Sequence, residues 1–161
     1  MKIFKKIKHL EIKYIFLSSR KIYKPKFNIK ENNKTKPVDR YARNKLKTEN
    51  YLKKYIINKV LILRISNIIG PKIVRKYRQV NNTFFDNYLR ILNNKKKFYY
   101  NNSFKDFISI YQFLTILKLI IDKKLLGIFN LSLGKKVFIS EIIKWLNIKN
   151  PKKKLFIKDE N

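Results

Sequence analysis

The run from Lys59 to Ile65, KVLILRI, constrains the fold more than any other stretch of this 161-residue chain. A strand with one wet face alternates apolar with polar side chains. This run is apolar at odd and even positions alike, as expected of a strand covered on both faces in a parallel sheet. Asn67, Gly70 and Pro71 end it. A second apolar run, residues 13–17, comes earlier and ends in Ser18 and Ser19. It reads as another buried strand. Between the two lie a polar loop over residues 24–36, bounded by Pro25 and Pro37, and a helix running from an Asp39 N-cap to about Ile57. Tyr41, Lys45, Leu46, Glu49 and Leu52 fall at mostly helical intervals, and Glu49 with Lys53 makes a favourable i, i+4 pair. Strand, helix, strand is a βαβ unit with a right-handed crossover. Ligands of such sheets bind beyond the carboxyl ends of the strands. Ser18, Ser19, Ser66 and Asn67 occupy two of those ends.

The same unit carries a candidate chemistry. Tyr41 and Lys45 are four residues apart at the start of the helix, so they share one face. A cation beside a phenol favours the phenolate, the form that acts as a base. If the first strand delivers Ser19 to the same pocket, a hydroxyl, a phenol and a cation converge. Tyr-x-x-x-Lys also arises by chance in a chain rich in Tyr and Lys, where it is a solvated helix face.

Beyond Pro71 the pattern is mixed. Lys72, Arg75, Lys76 and Arg78 form a basic cluster, either a solvated loop or a clamp for an anion. Residues 83–93 show an amphipathic stripe of Phe84, Phe85, Tyr88, Leu89 and Leu92, the mark of a core-facing helix. Short extended pieces are expected at residues 97–100 and around Asp106, an apolar helix over residues 109–122, and a strand from Gly127. A short helix capped by Ser140 should follow, and then a loose charged tail after Pro151. Residues 2–9 read as a short basic helix containing His9.

Composition narrows the function classes. Apolar residues make up 45% of the chain, enough for a core. Cysteine is absent and histidine occurs once, which excludes a disulfide framework, thiolate or His-cluster metal sites and a His-based triad. The formal charge of +30 would permit nonspecific polyanion binding through counterion release. Yet Lys is scattered through every segment and accompanied by abundant Asn and Ile, while Ala occurs only at Ala42. A genome of low G+C content produces that bias without selection for nucleic acid. No apolar run approaches the ~18 residues of a membrane span, and no signal peptide is evident at the start. No membrane association and a cytoplasmic location are the expectation.

Five blocks resemble one family in order and spacing: KYIFLSSRKIY (13–23), PVDRYARNKLKTE (37–49), KVLILRISNIIGP (59–71), KDFISI (105–110) and GIFNLSLGKKVFISEIIKWL (127–146). Together they resemble the C-terminal part of an extended short-chain dehydrogenase/reductase, the NAD-dependent epimerase/dehydratase group acting on sugar nucleotides. The resemblance implies an α/β fold: an incomplete Rossmann-like parallel sheet with a small α/β substrate-binding portion. Residues 1–71 would belong to the Rossmann-like part, 72–150 mainly to the substrate portion with a returning strand, and 151–161 to the tail. By the same resemblance Ser19 orients the substrate oxygen, Tyr41 is the general acid/base, and Lys45 holds the nicotinamide ribose. Asn67 contacts substrate, and Lys105 stands where relatives place an Arg on the nucleotide diphosphate. NAD or NADP would be the cofactor and a nucleotide-sugar the substrate.

Departures from the family pattern are Lys24 in place of a Gly and Asn44 in place of a Ser. More consequential, Gly70, Gly127 and Gly134 are the only glycines, and they cannot form a Gly-rich pyrophosphate turn. The resemblance thus implies that the first four strands lie before Met1. Either the chain is a truncated C-terminal part, inactive alone, or it pairs with a separately encoded N-terminal half, or with copies of itself as a homo-oligomer. Two competing readings are a basic polyanion-binding protein, with aromatics interspersed among Lys, and an inactive remnant.

Overall fold

The computed structural model describes residues 13–70, 99–100, 102–149 and 156–157. The expected helices over residues 2–9 and 83–93, and the cluster of Lys72, Arg75, Lys76 and Arg78, lie outside the described residues.

In chain order the elements are β1 (Tyr14–Ser19), a 3-10 turn (Arg20–Ile22), α1 (Arg40–Ile56), β2 (Val60–Ile65) and β3 (Asn67–Ile69). Then come β4 (Tyr99–Tyr100), β5 (Phe104–Lys105), β6 (Phe107–Ser109), α2 (Ile110–Asp122), β7 (Gly127–Leu131), β8 (Val137–Phe138), α3 (Ile139–Lys149) and β9 (Phe156–Ile157). They fall into two compact units, Met1–Gly70 with Phe107–Gly134, and Pro71–Asp106 with Lys135–Asn161.

The first unit is built on a parallel sheet of order β1-β2-β7. Every residue of β2 is buried, which explains its unbroken apolar pattern. Its alternate side chains enter two different cores. Val60 and Ile62 pack with Leu52 of α1, joined by Tyr14, Phe16 and Ile128. Leu61, Leu63 and Ile65 pack with Phe113 of α2, Ile108 and Leu131. Fully burying each such side chain contributes about 1.5–3 kcal/mol. The first strand departs from expectation. Tyr14 and Phe16 join the α1 core, but Ile15 and Leu17 on the opposite face are 38% and 41% exposed. The outer edge of β1 has no strand partner among the described residues.

Helix α1 starts where Asp39 accepts the Ala42 N–H at 2.7 Å. Helix α2 opens on a capping box between Ser109 and Gln112. Just before it, β3 pairs in parallel with β6. Gly70 follows β3 against α2, and a Cβ on Gly70 would lie 2.8 Å from Cγ2 and 3.0 Å from Cβ of Ile110. The Ile110 Cβ is fixed to the helix backbone and cannot swing aside. Gly70→Ala is therefore expected to destabilise the protein by about 1–3 kcal/mol, the usual cost of overpacking. Urea unfolding measures it, and an unchanged midpoint would show that α2 shifts freely.

In the second unit β5 pairs antiparallel with β8, and β4 pairs in parallel with β9. Two residues of the tail expected to be loose thus form a strand. Ser140 lies inside α3 rather than capping it. The Glu141 carboxylate accepts the Phe138 N–H at 2.8 Å, and the Ser140 N–H donates to Asn102.

Candidate active site

The carboxyl end of β1 is where the first candidate group sits. Ser19 is buried and caps the 3-10 turn, its Oγ accepting the Lys21 N–H at 3.3 Å. The turn carries the Lys21 side chain to the start of α1. There its ammonium lies 3.6 Å from the Asp39 carboxylate and 5.7 Å from the centre of the Tyr41 ring.

Tyr41 and Lys45 share a face of α1, as the spacing requires, with the Lys45 ammonium 5.6 Å from the Tyr41 ring centre. Lys45 also lies 4.9 Å from the Phe16 ring and donates to the Leu17 carbonyl at 2.7 Å. Burial pushes the Lys45 ammonium below its ordinary pKa. Tyr41 is about half exposed, so its phenol is open to a ligand. The structure thus brings Tyr41 and Lys45 together and joins them to the strand that ends in Ser19. Lys21, which sequence reasoning passed over, is a second cation beside the phenol.

Asp39 holds the helix start in register. The Ala42 N–H, with Lys21 and Arg43 nearby, keeps its carboxyl below the ordinary aspartate range. A depressed folded-state pKa stabilises the fold above the unfolded value of about 3.9, and that stability is lost as pH falls through the lower folded value. Thermal unfolding should therefore show an acid-dependent loss that Asp39→Asn, which keeps the cap acceptor, diminishes. An identical pH profile in the variant would remove Asp39 from this account.

Behind these groups lies a network that sequence reasoning missed. Ser18, Arg64 and Asn130 are register partners in one row across β1, β2 and β7. They occupy the even positions that continue Phe16, Ile62 and Ile128 of the α1 core. Opposite the row is Glu49, fully buried on α1 one turn beyond Lys45. Its carboxylate accepts Arg64 Nη2 at 2.7 Å, Nε at 3.2 Å and the Ser18 hydroxyl. Glu49 therefore pairs with the strand, in place of the expected helical partner Lys53. Arg64 Nη1 donates to the Tyr23 hydroxyl and to the Glu31 carbonyl at 2.9 Å. Tyr23 in turn donates to Asn130 Oδ1 at 3.0 Å. Burial raises the Tyr23 pKa, against the opposing pull of Arg64, and keeps it a neutral donor. Asn130 Nδ2 and N–H bind the Ile29 carbonyl and the Glu31 carboxylate, closing the loop over the strand ends.

Asn67 stands at the start of β3, paired with Phe107 and partly buried. Lys105 belongs to the second unit, on β5 opposite Val137. No group of three or more His, Cys, Asp or Glu suited to a metal occurs among the described residues. No helix among them is long and apolar enough to cross a membrane.

Ser19 ends β1, and Tyr41 and Lys45 share a face of α1. Residues 1–131 match the profile of the NAD dependent epimerase/dehydratase family. The chain belongs to that family. Its fold is shared by solved epimerase/dehydratase structures. One is a UDP-N-acetylglucosamine 4-epimerase from Methanobrevibacter ruminantium M1 in complex with UDP-N-acetylmuramic acid, 24% identical with TM-score 0.77, matching 99% of this chain and 54% of that one. Another is a UDP-glucuronic acid 4-epimerase from Bacillus cereus in complex with UDP-glucuronic acid and NAD, 23% identical with TM-score 0.78, matching 98% of this chain and 52% of that one. A dTDP-glucose 4,6-dehydratase from Bacillus anthracis str. Ames in complex with NAD is 16% identical with TM-score 0.72, matching 99% and 53%. This epimerase/dehydratase-family chain thus spans about half the length of these structures. A comparison with curated proteins finds no match. The family match gives no support to the polyanion-binding reading.

Proposed function

We propose that this chain forms the substrate-side portion of an NAD-dependent enzyme that oxidises or reduces a hexose carbon of a nucleotide-sugar, as a 4-epimerase, dehydratase or 4-keto reductase. The observation that carries the reading is the placement of Tyr41 and Lys45 on one face of α1, with Lys45 anchored to the Leu17 carbonyl beside Ser19. Tyr41 takes the proton of the sugar hydroxyl as its carbon is oxidised and returns one on reduction. The ammonium groups of Lys45 and Lys21 stabilise negative charge developing on the phenol oxygen. Ser19 orients the sugar oxygen. Asn67 contacts the nucleotide-sugar.

The residues present fit one end of the cofactor. Lys45 donates one N–H to Leu17, and an ammonium has three, so two remain for the hydroxyls of the nicotinamide ribose. When bound, NAD supplies the hydride acceptor or donor. The pyrophosphate end needs a Gly-rich turn that the three glycines of this chain cannot build. A further strand-turn-helix segment therefore completes the sheet, and the edge of β1 with the half-exposed Ile15 and Leu17 is where it adds.

The test uses the protein isolated with whatever segment or chain completes it in the producing cell. Incubation with NAD and UDP- or dTDP-hexoses, followed by proton NMR, should show a C4 epimer or a 4-keto-6-deoxy product, and incubation of a nucleotide-linked 4-keto-hexose with NADH should show reduction at C4. Absence of any conversion and of NAD binding by that assembly would overturn the proposal.

A further inference from the structure

Arg64 and Glu49 have no part in the proposed binding of substrate or cofactor, yet both are buried and paired where α1 meets β2. Resting on the proposed catalytic role of Ser19 and Tyr41, we infer that the Arg64–Glu49 pair is a positioning device that fixes the Ser19 turn against the helix carrying Tyr41 and Lys45.

The geometry brackets Ser19 on both sides. Ser18, immediately before it, donates to Glu49. Tyr23, at the end of the turn that Ser19 caps, accepts from Arg64. The two anchors are themselves joined through three guanidinium–carboxylate hydrogen bonds, at 2.7, 3.2 and 3.2 Å. On the helix side, Lys45 and Glu49 are one turn apart and grip successive residues of β1, Lys45 at the Leu17 carbonyl and Glu49 at Ser18. Arg64 adds the loop through the Glu31 carbonyl. A planar guanidinium in a fixed fork holds its partners in one geometry. An apolar trio in the same row would fill the space without fixing the direction of the Ser19 turn. That is a physical reason for a charged pair where a core of Leu and Ile would otherwise serve.

The test separates positioning from simple stability. Truncating one partner strands a buried charge, so the informative variant replaces both, Arg64→Met with Glu49→Leu, a swap that buried ion pairs often tolerate. It is made in the complete assembly and compared with Ser18→Ala, which leaves the ion pair intact and cuts one anchor. In the double variant kcat should fall up to about 100-fold with KM little changed, the scale of a misplacement of about 1 Å. The Lys21 amide, bonded to Ser19 Oγ, should exchange with deuterium at least about tenfold faster, equivalent to about 1.4 kcal/mol. Ser18→Ala should move both readouts in the same direction by less. A folded double variant with wild-type kcat and wild-type Lys21 protection would overturn the inference. If the double variant does not fold, Ser18→Ala decides by the same two readouts. An assembly inactive on every sugar nucleotide would defeat the proposed function, while Lys21 exchange, measured without substrate, would still decide whether the pair fixes the turn.

Discussion

Tyr41→Phe should reduce turnover of the complete enzyme by about 100-fold to 10,000-fold, the usual contribution of a positioned general acid or base, without changing its unfolding midpoint. The side chain is 52% exposed, so loss of its hydroxyl uncovers no core. The ring stays near Lys21 and Lys45, 5.7 and 5.6 Å from the two ammonium groups. What disappears is the hydroxyl proposed to exchange a proton with the sugar hydroxyl. Steady-state kinetics and urea unfolding on the same preparation check both halves of the expectation. A variant turning over at the wild-type rate would remove Tyr41 from the chemistry.

The second large effect concerns stability. Glu49→Ala or Arg64→Ala alone should cost about 3–5 kcal/mol, the penalty of leaving one charge of a buried pair uncompensated. Glu49 is 0% exposed and Arg64 3%, so solvent cannot relieve the survivor. Against the usual total stability of about 5–15 kcal/mol, either single variant would remove from about a fifth to all of it. Truncating Arg64 should cost more than truncating Glu49. Its loss also strands the Glu31 carbonyl and half of the Tyr23 hydroxyl's bonding. Equilibrium denaturation measures both, and a cost below about 1 kcal/mol would show that water reaches the pair.

The candidate site was legible where chemistry depends on local spacing. Tyr41 and Lys45 share a face because a helix repeats every 3.6 residues, and the Asp39 cap is a matter of two neighbouring peptide units. Ser140 was misassigned for the same reason in reverse, since a hydroxyl inside a first turn and one just outside it look alike in sequence. Lys21 was missed because its approach to Tyr41 is set by the fold of the turn after Ser19, not by spacing. Arg64 did leave a signal. A single charge inside a run covered on both faces must have a buried partner, and Glu49 on the adjoining helix was the acid within reach. The expected Glu49–Lys53 pair obscured it.

By itself, the sequence determined that two apolar strands flank a capped helix in parallel, that Tyr41 and Lys45 face one way, and that no Gly-rich turn lies within these residues. Those properties follow from periodicity, from caps and from residue counts, which need no knowledge of distant neighbours. Only the tertiary structure decided that Ser18, Arg64 and Asn130 align as a polar row, because strand register is fixed by packing across the sheet. It also decided that Glu49 serves that row and that Ile15 and Leu17, on one face of β1, stay half-exposed. Whether a side chain is buried, paired or open depends on what other elements bring to it, and no local pattern carries that information.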